Sequence, residues 1–320
     1  MTERYRLILV LFGLFLSQPG RGQETDYPGL PTRDQNPLLQ AYFIPAIPAS
    51  SDEAWSFSHS LYITNTYQLD NSATETLVID VENRRYDLQI NYRQTDWRLN
   101  INLSLIDNDA GFLDQTIEGW HDIFGLPQGG RDTAINNRIN LLYRNNNATI
   151  LNSQSADSGL ADVQLAIGRT VGNGDLWLGL ELPSASGNPL FSNDGVDLAL
   201  WYSLHGDGRD EISAFGSGGV VIPADDGLFQ NRLNSHYLFG QIGLVYRYEP
   251  DWHFLFQLDV HGAIVKDSEV DALNDSLQGQ FGLRLPAISK SHQLDLFFSE
   301  DLLPGHAPDI TFSLRISARQ

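Results

Sequence analysis

The feature that most constrains this chain is a hydrophobic pattern with a period of two. In residues 97–106, Trp97, Leu99, Ile101, Leu103 and Leu105 occupy one parity, while Arg98, Asn100, Asn102 and Ser104 occupy the other. Successive side chains of a β-strand point to opposite faces, so such a segment makes a strand with one greasy and one wet face. The pattern recurs along the chain. Trp55, Phe57, His59, Leu61 and Ile63 alternate with Ser56, Ser58, Ser60, Tyr62 and Thr64. Later runs include Leu176/Leu178/Leu180/Leu182, Trp252/Phe254/Phe256/Leu258 and Ile310/Phe312/Leu314/Ile316. After the first residues no second long apolar run follows, which excludes a helical membrane protein but not a barrel, whose strands need only ~9–11 alternating residues each.

Connector lengths sharpen this into an architecture. Tight connectors at residues 94–96, 145–147, 172–174, 205–208, 249–251 and 287–289 interleave with longer ones at 70–74, 107–133, 156–159, 184–194, 223–234, 267–275 and 300–308. Short periplasmic turns and long outer loops are the known asymmetry of bacterial barrels. The expected fold is an all-β, antiparallel, up-and-down transmembrane β-barrel of about 14 strands. Losing the weak hairpin at residues 148–155 gives the alternative of about 12. Between Leu77/Ile79/Val81 and Tyr86/Leu88/Ile90 the pattern changes phase, which predicts one long strand with a bulge near residues 82–85. Tyr92, Trp97, Tyr143, Tyr248 and Trp252 lie beside proposed periplasmic turns, where an interfacial aromatic girdle belongs. A soluble β-sandwich also alternates; closure into a barrel accounts better for so many consecutive strands behind an export signal.

That signal is read in residues 1–22, where Arg4 and Arg6 precede an apolar run and then Ser17, Pro19, Gly20 and Gly22. These residues carry three arginines and one glutamate, so cleavage would take the formal charge from −20 to −22. Residues 23–53, with Pro28, Pro31, Pro37, Pro45 and Pro48, are expected to form an extended lead segment packed on a barrel rim or interior, and residues 54–320 the barrel. The acidity argues against nucleic acid, whose phosphates need a basic face. The absence of cysteine removes disulfides, thiolate metal sites and cysteine nucleophiles.

In the largest outer loop the period shifts to helical. Leu113, Ile117, Trp120 or His121, and Phe124 fall on one face of a short amphipathic helix, expected to control or fill the barrel mouth as a lid. Adjacent helical positions diverge, so Trp120, His121 and Asp122 form no catalytic dyad.

With apolar parities facing lipid, Arg93, Arg98, Arg144, Arg247, Arg284 and Arg315 face inward near the periplasmic end. Asp162, Glu181, Asp197 and Asp309 face inward toward the outer end, with Asp259 and Asp295 deeper. Eighteen of the 20 basic residues are arginine, which suits fixed multidentate pairing. The arrangement predicts a basic vestibule, read either as a site for an anionic solute or as structural pairing with carboxylates of the lumen and lead segment. His253 and His261 are too far apart along one strand to share a metal, whereas Asp259 and His261 could pair.

Several motifs resemble an uncharacterised family of secreted Gram-negative proteins, domain of unknown function 3187. They are Gln35-Asn36-Pro37-Leu38; Gly111-Phe112-Leu113-Asp114 with Ile117, His121, Phe124-Gly125-Leu126 and Arg131; and Ser299-Glu300-Asp301-Leu302 with Ala307-Pro308-Asp309-Ile310-Thr311-Phe312. The resemblance implies an outer-membrane barrel and brings no established activity. One departure is the end, Ser317-Ala318-Arg319-Gln320, where such barrels commonly finish on an aromatic residue.

The expected function is a narrow outer-membrane channel or a binder of small polar, anionic or lipidic ligands. The alternatives are an outer-membrane lipid-modifying or hydrolytic enzyme and a secreted structural β protein. Outer-membrane lipid, the barrel-assembly machinery and a small anionic or lipidic ligand are the expected partners. No metal, cofactor or catalytic residue is implied.

Overall fold

The computed structural model describes residues 29–31, 33–45, 47–48, 54–125, 135–185, 187–205, 211–249, 252–289 and 292–318. The first strands are β1 (Trp55–Asn71), β2 (Glu75–Gln94) and β3 (Trp97–Asp109), followed by one helix, α1 (Asp114–Phe124). Three short strands come next, β4 (Asn140–Asn145), β5 (Ala148–Ser153) and β6 (Asp157–Leu160). The remainder are β7 (Val163–Val171), β8 (Gly174–Leu182), β9 (Asp197–Leu204), β10 (Ile212–Ile222), β11 (Tyr237–Glu249), β12 (Trp252–His261), β13 (Ser276–Ser289), β14 (His292–Asp301) and β15 (Ile310–Ala318).

Strands β1, β2, β3 and β7 to β15 pair antiparallel in that order, and β15 pairs back onto β1 with Leu61 opposite Leu314. The result is a closed barrel of 12 strands, the smaller of the two sequence-based counts. Closure leaves no unpaired edge, the condition for spanning lipid with strands. The connectors at 94–96 and 172–174 lie at one end, the turn end, from which β1 also starts and at which β15 finishes. The opposite end carries the long loops. Among the described residues no helix is long and apolar enough to cross a membrane.

The inside and outside are the reverse of a soluble protein. Phe57, Leu61, Leu99, Ile101, Leu178, Leu200, Phe254 and Phe312 are exposed, whereas Ser56, Ser58, Ser60, Gln89, Asn100, Asn102 and Ser104 are buried. An apolar belt around a polar interior fits lipid outside and not water. At the turn end Trp55, Trp97 and Tyr248 stay exposed, with the Trp55 and Tyr92 rings 4.7 Å apart and the Arg169 guanidinium 5.4 Å from the Trp97 ring.

Three sequence-based expectations are corrected. The connector at 145–147 is not a periplasmic turn: β4 pairs with residues 75–80 of β2, and Asn146 N donates to Thr74 O (2.8 Å), so the β4–β5 hairpin stands at the loop end. Tyr143 is accordingly buried there rather than in the girdle, and two of the 14 proposed staves lie outside the barrel. Second, β2 has no bulge; it pairs with β1 in unbroken register from Trp55 opposite Tyr92 to Asn71 opposite Thr76. Leu77, Ile79 and Val81 face inward, into an apolar cluster, while Tyr86 on the other parity faces out. The phase change records a change in what fills the lumen. Third, α1 does not sit in the mouth. Leu113 and Ile117 pack on Ile310 and Ile63, which share the outward parity of Phe312 and Leu61.

The loop end is capped. Phe229, Ile264, Val265, Val270, Ala272 and Leu273 from two loops join Leu190, Phe191 and the inward residues of β2 in one buried cluster. Buried Glu75 binds the cap together by accepting from Tyr143 Oη (2.5 Å), Arg232 Nη2 (2.8 Å), Ser268 Oγ (2.9 Å) and Glu269 N (2.5 Å). Burial and the Glu75 carboxylate push the Tyr143 phenol above its ordinary range, so it remains a donor.

Candidate functional site

The lumen holds the chain's own lead segment. Residues 29–31 and 33–36 lie in the interior, with Gly29 toward the turn end and Asn36 toward the loop end. A helical turn follows, in which Leu39 N and Gln40 N donate to Asn36 O (3.0 Å each) and Tyr42 N donates to Leu39 O (3.0 Å). Its entry is fixed by side chains, Asn36 N donating to Asp34 Oδ1 (2.8 Å) and Leu38 N to Asn36 Oδ1 (3.0 Å). The segment then returns, with Ile44, Pro45 and Ile47 lying near Arg33 and Asp34 around one cavity.

Near the turn end the plug is held by polar groups. Gln257 accepts from Leu30 N (2.8 Å) and donates to Leu30 O (3.2 Å); Tyr62 Oη donates to Pro31 O (2.5 Å); Arg315 Nη1 donates to Gly29 O (3.3 Å). Farther in, Arg33 Nη2 pairs with Asp87 Oδ2 at 3.1 Å, and Asp34 Oδ2 meets His261 Nε2, at the loop end of β12, at 2.9 Å. Toward the loop end the plug enters the apolar cluster through Leu38, Leu39, Tyr42 and Phe43. Its few polar contacts there include Phe43 N to Asp197 Oδ2 (3.2 Å) and Tyr237 Oη to Phe43 O (2.5 Å).

The wall that receives the plug carries one continuous inward row. Strand register sets Arg247, His253, Arg284, Asp295, Arg315, Ser60, Asp87 and Ser104 opposite one another in turn, from β11 round to β3. Two carboxylates in it are each clamped by two guanidinium groups. Asp295 accepts from Arg284 Nε (2.8 Å) and Nη2 (3.2 Å) and from Arg315 Nε (2.8 Å) and Nη2 (2.6 Å). Asp87 accepts from Arg85 Nε (2.8 Å) and from Arg33 of the plug. Arg85 also reaches Ser104 Oγ at 2.7 Å. Bidentate geometry of this kind is what arginine offers over lysine.

The sequence-derived vestibule is thus partly assembled and partly dispersed. Arg247, Arg284 and Arg315 lie in the row. Arg93 and Arg98 lie opposite each other, half-buried and nearer the turn end, where Arg98 Nη1 reaches Asp175 Oδ1 (2.5 Å) and Thr170 Oγ1 (2.6 Å). Asp175 also meets His205 Nε2 at 2.8 Å. Arg144 is elsewhere, exposed on β4 at the loop end, because its hairpin is not part of the barrel.

The acids have separate tasks. Asp295 is the clamp and Asp197 holds the plug backbone, while also accepting from Ala224 N (2.7 Å). Asp162 Oδ1 anchors a loop through Ser184 N (2.8 Å) and Ala185 N (3.2 Å). Glu181 accepts from Gln164 Nε2 (2.8 Å), Asp259 accepts from Gln257 Nε2 (3.0 Å), and Asp309 is half-buried at the loop end. Among the proposed lid residues, Leu113 and Ile117 face the outer wall; the side chains of Trp120, His121 and Phe124 lie outside the described residues. His261 pairs with Asp34 and not with Asp259, and its Nδ1 lies 2.9 Å from Gly262 O, so both ring nitrogens face acceptors. No group of three or more His, Asp or Glu among the described residues is placed to hold a metal.

Sequence reasoning missed Arg33, Arg85 and Asp87, and expected Asp34 of the lead segment on an arginine where it meets His261. Arg85 and Asp87 share a parity with Gln89, a signal obscured by assigning residues 82–85 to a bulge.

A family model described as protein of unknown function, DUF3187, matches residues 6–319. The chain belongs to this family. No curated protein matches the sequence. Among solved structures, the COG4313 outer membrane channel from Pseudomonas putida F1 is 13% identical with a TM-score of 0.54, over 86% of this chain and 99% of that one. A Pseudomonas aeruginosa FadL homologue is 7% identical with a TM-score of 0.39, over 82% of this chain and 89% of that one. The first of these likenesses is one of fold. Together with the apolar belt it makes the DUF3187 protein a barrel of the outer-membrane type.

Proposed function

We propose that this DUF3187 protein is a gated outer-membrane channel for small polar solutes, with a preference for anions, and that residues 29–48 are its plug. One observation carries the reading: the lumen holds a segment of the chain's own, tied in its turn-end half, which on this reading is the periplasmic one, by hydrogen bonds and an ion pair to a polar wall. A wall made of Ser, Gln, Asn, Arg and Asp stays wettable once the plug leaves, unlike an apolar core. The cavity between plug and wall, lined by Arg33, Asp34, Gln241, Asp259 and His261 among others, has a volume of about 30 Å³. That is room for a water or two.

The anion preference follows from what the plug takes with it. Removing Arg33 leaves Arg85 on Asp87, and leaves Arg284 and Arg315 on Asp295, with Arg247 in the same row. Around this row the four guanidinium groups then outnumber the two carboxylates, Asp87 and Asp295. The remaining inferences are export by a leader at residues 1–22, a lead segment at 23–53 before the barrel of 54–320, insertion by the barrel-assembly machinery, and a small anionic or lipidic ligand.

Planar-bilayer conductance tests the proposal. The full chain should conduct weakly; deletion of residues 29–48 should give stable steps with an anion-selective reversal potential, and Arg284→Gln with Arg315→Gln in that background should shift it toward cations. A folded deletion variant that does not conduct overturns the channel, and cation selectivity indifferent to the two substitutions overturns the anion preference.

A further inference from the structure

The outer wall carries two polar residues where its apolar belt ends. Asn65 of β1 and Glu82 of β2 lie directly opposite each other on the outward parity, yet are only 3% and 0% exposed. They are roofed by the start of the large loop. Glu82 Oε2 accepts from Phe112 N (2.9 Å) and Leu113 N (3.1 Å), and Asn65 Nδ2 donates to Asp114 Oδ1 (2.8 Å). Arg84 ties the same place down, reaching Glu82 Oε1 at 2.9 Å and Asp109 Oδ2 at 2.7 Å. With Leu113 and Ile117 on Ile63 and Ile310, α1 is fixed to the outside of the barrel by polar and apolar contacts together.

This docking orients the helix. At about 100° per residue, with Leu113 and Ile117 against the wall, Asp114, Glu118 and Asp122 fall on one flank and Thr116 and Ile123 on the other; Phe112, just before the helix, is placed by the Arg84 guanidinium 5.8 Å from its ring, two residues nearer the belt than Glu82. Asp114 shows which flank faces outward, because it reaches Asn65, two residues further toward the loop end than Ile63. The acidic flank therefore points away from the membrane and the apolar flank toward the belt. Phe112 and Ile123 are 59% and 79% exposed, and the wall below the docking residues Ile63 and Ile310 carries exposed Leu61, Phe312 and Leu314. The helix thus continues the lipid-facing surface instead of interrupting it.

We propose that α1 is an interfacial helix whose partner is the lipid of the outer leaflet, with Phe112 and Ile123 among the upper acyl chains and Glu118 and Asp122 in water. An amphipathic helix lying in the plane of a membrane boundary buries one apolar flank in this way. The helix rests on the wall and leaves the lumen to the plug, so its placement is independent of whether the barrel conducts.

The chain has no cysteine, so single-site labelling is unambiguous. Ile123→Cys and, on the acidic flank, Glu118→Cys are labelled with an environment-sensitive fluorophore in the full chain. Each is reconstituted into vesicles containing phosphatidylcholine brominated high on the acyl chain. The expected result is quenching by bromolipid and loss of iodide quenching at position 123, with the reverse at 118. Equal iodide access at both positions overturns the proposal. So does protection at 123 that disappears on dilution of protein into lipid, which would assign the flank to a second copy of the chain. Ile123→Asp in the same vesicles should raise iodide access at a label on Gly119→Cys; an unchanged value there also counts against lipid as the partner.

Discussion

Toward the outer mouth the inward residues of β2 are Leu77, Ile79 and Val81, and the plug offers them Leu38, Leu39, Tyr42 and Phe43. Toward the turn end the inward residues of the same strand are Arg85, Asp87 and Gln89, and the plug offers Arg33 and backbone carbonyls. One strand thus meets an apolar filling in one half and a polar filling in the other. The difference separates two kinds of stability. Apolar contacts are undirected and scale with buried area. The ionic contacts contribute little net stability over an apolar alternative, yet are costly to break singly because a stranded partner stays dry.

Substitutions in the two halves should therefore fail differently. The largest effect is expected from Asp295→Ala, which leaves Arg284 and Arg315 facing each other with no carboxylate between them. Breaking such a buried group costs about 3–5 kcal/mol. Urea unfolding in lipid should show that loss, and a midpoint unchanged from wild type would remove the clamp from the account. In the outer half, Leu39→Ala creates a cavity in the capped cluster and should cost about 2–4 kcal/mol of plug docking, insensitive to salt. Proteolysis within residues 29–48 measures it.

Arg33→Gln is the sharper probe of the comparison. Asp87 keeps Arg85, so nothing charged is stranded, and the loss should be only about 1.5–3 kcal/mol, the worth of a hydrogen bond to a charged group. It should appear as more frequent openings in single-channel records with no change in global unfolding. Should it unfold the barrel as Asp295→Ala does, the distinction between plug and wall fails. The smallest effect belongs to Tyr62→Phe, which removes one hydroxyl donor to Pro31 O and should cost about 1 kcal/mol of plug protection.

Much of this was legible in the sequence, for reasons that also explain the errors. Parity identified the lipid face because lipid presents one uniform demand to every strand, and it placed Arg284, Arg315 and Asp295 inside. It could not separate an inward apolar residue from an outward one, and so the reversal at Leu77–Val81 was read as a bulge. Strand count erred at Asn145-Asn146-Asn147, because a tight turn looks the same in or out of a barrel. The helix at Asp114–Phe124 was visible from its spacing, but which surface its apolar face covers depends on Ile63 and Ile310, nearly 250 residues apart in the chain. The plug's contacts were hidden for the same reason: Arg33 and Asp87, or Asp34 and His261, meet only after closure.

The contact between Arg315 and the Gly29 carbonyl has a consequence in time. Arg315 belongs to the last strand of the barrel, and its partner precedes the first, so this tether is absent until every strand has been delivered. The seam between β1 and β15 has the same dependence, joining Ser58 to Ser317. Contacts of such separation form late and slowly, since loop closure must precede them. Until β15 arrives, Asp295 has Arg284 but not Arg315, and the pore has neither its seam nor this tether of its plug.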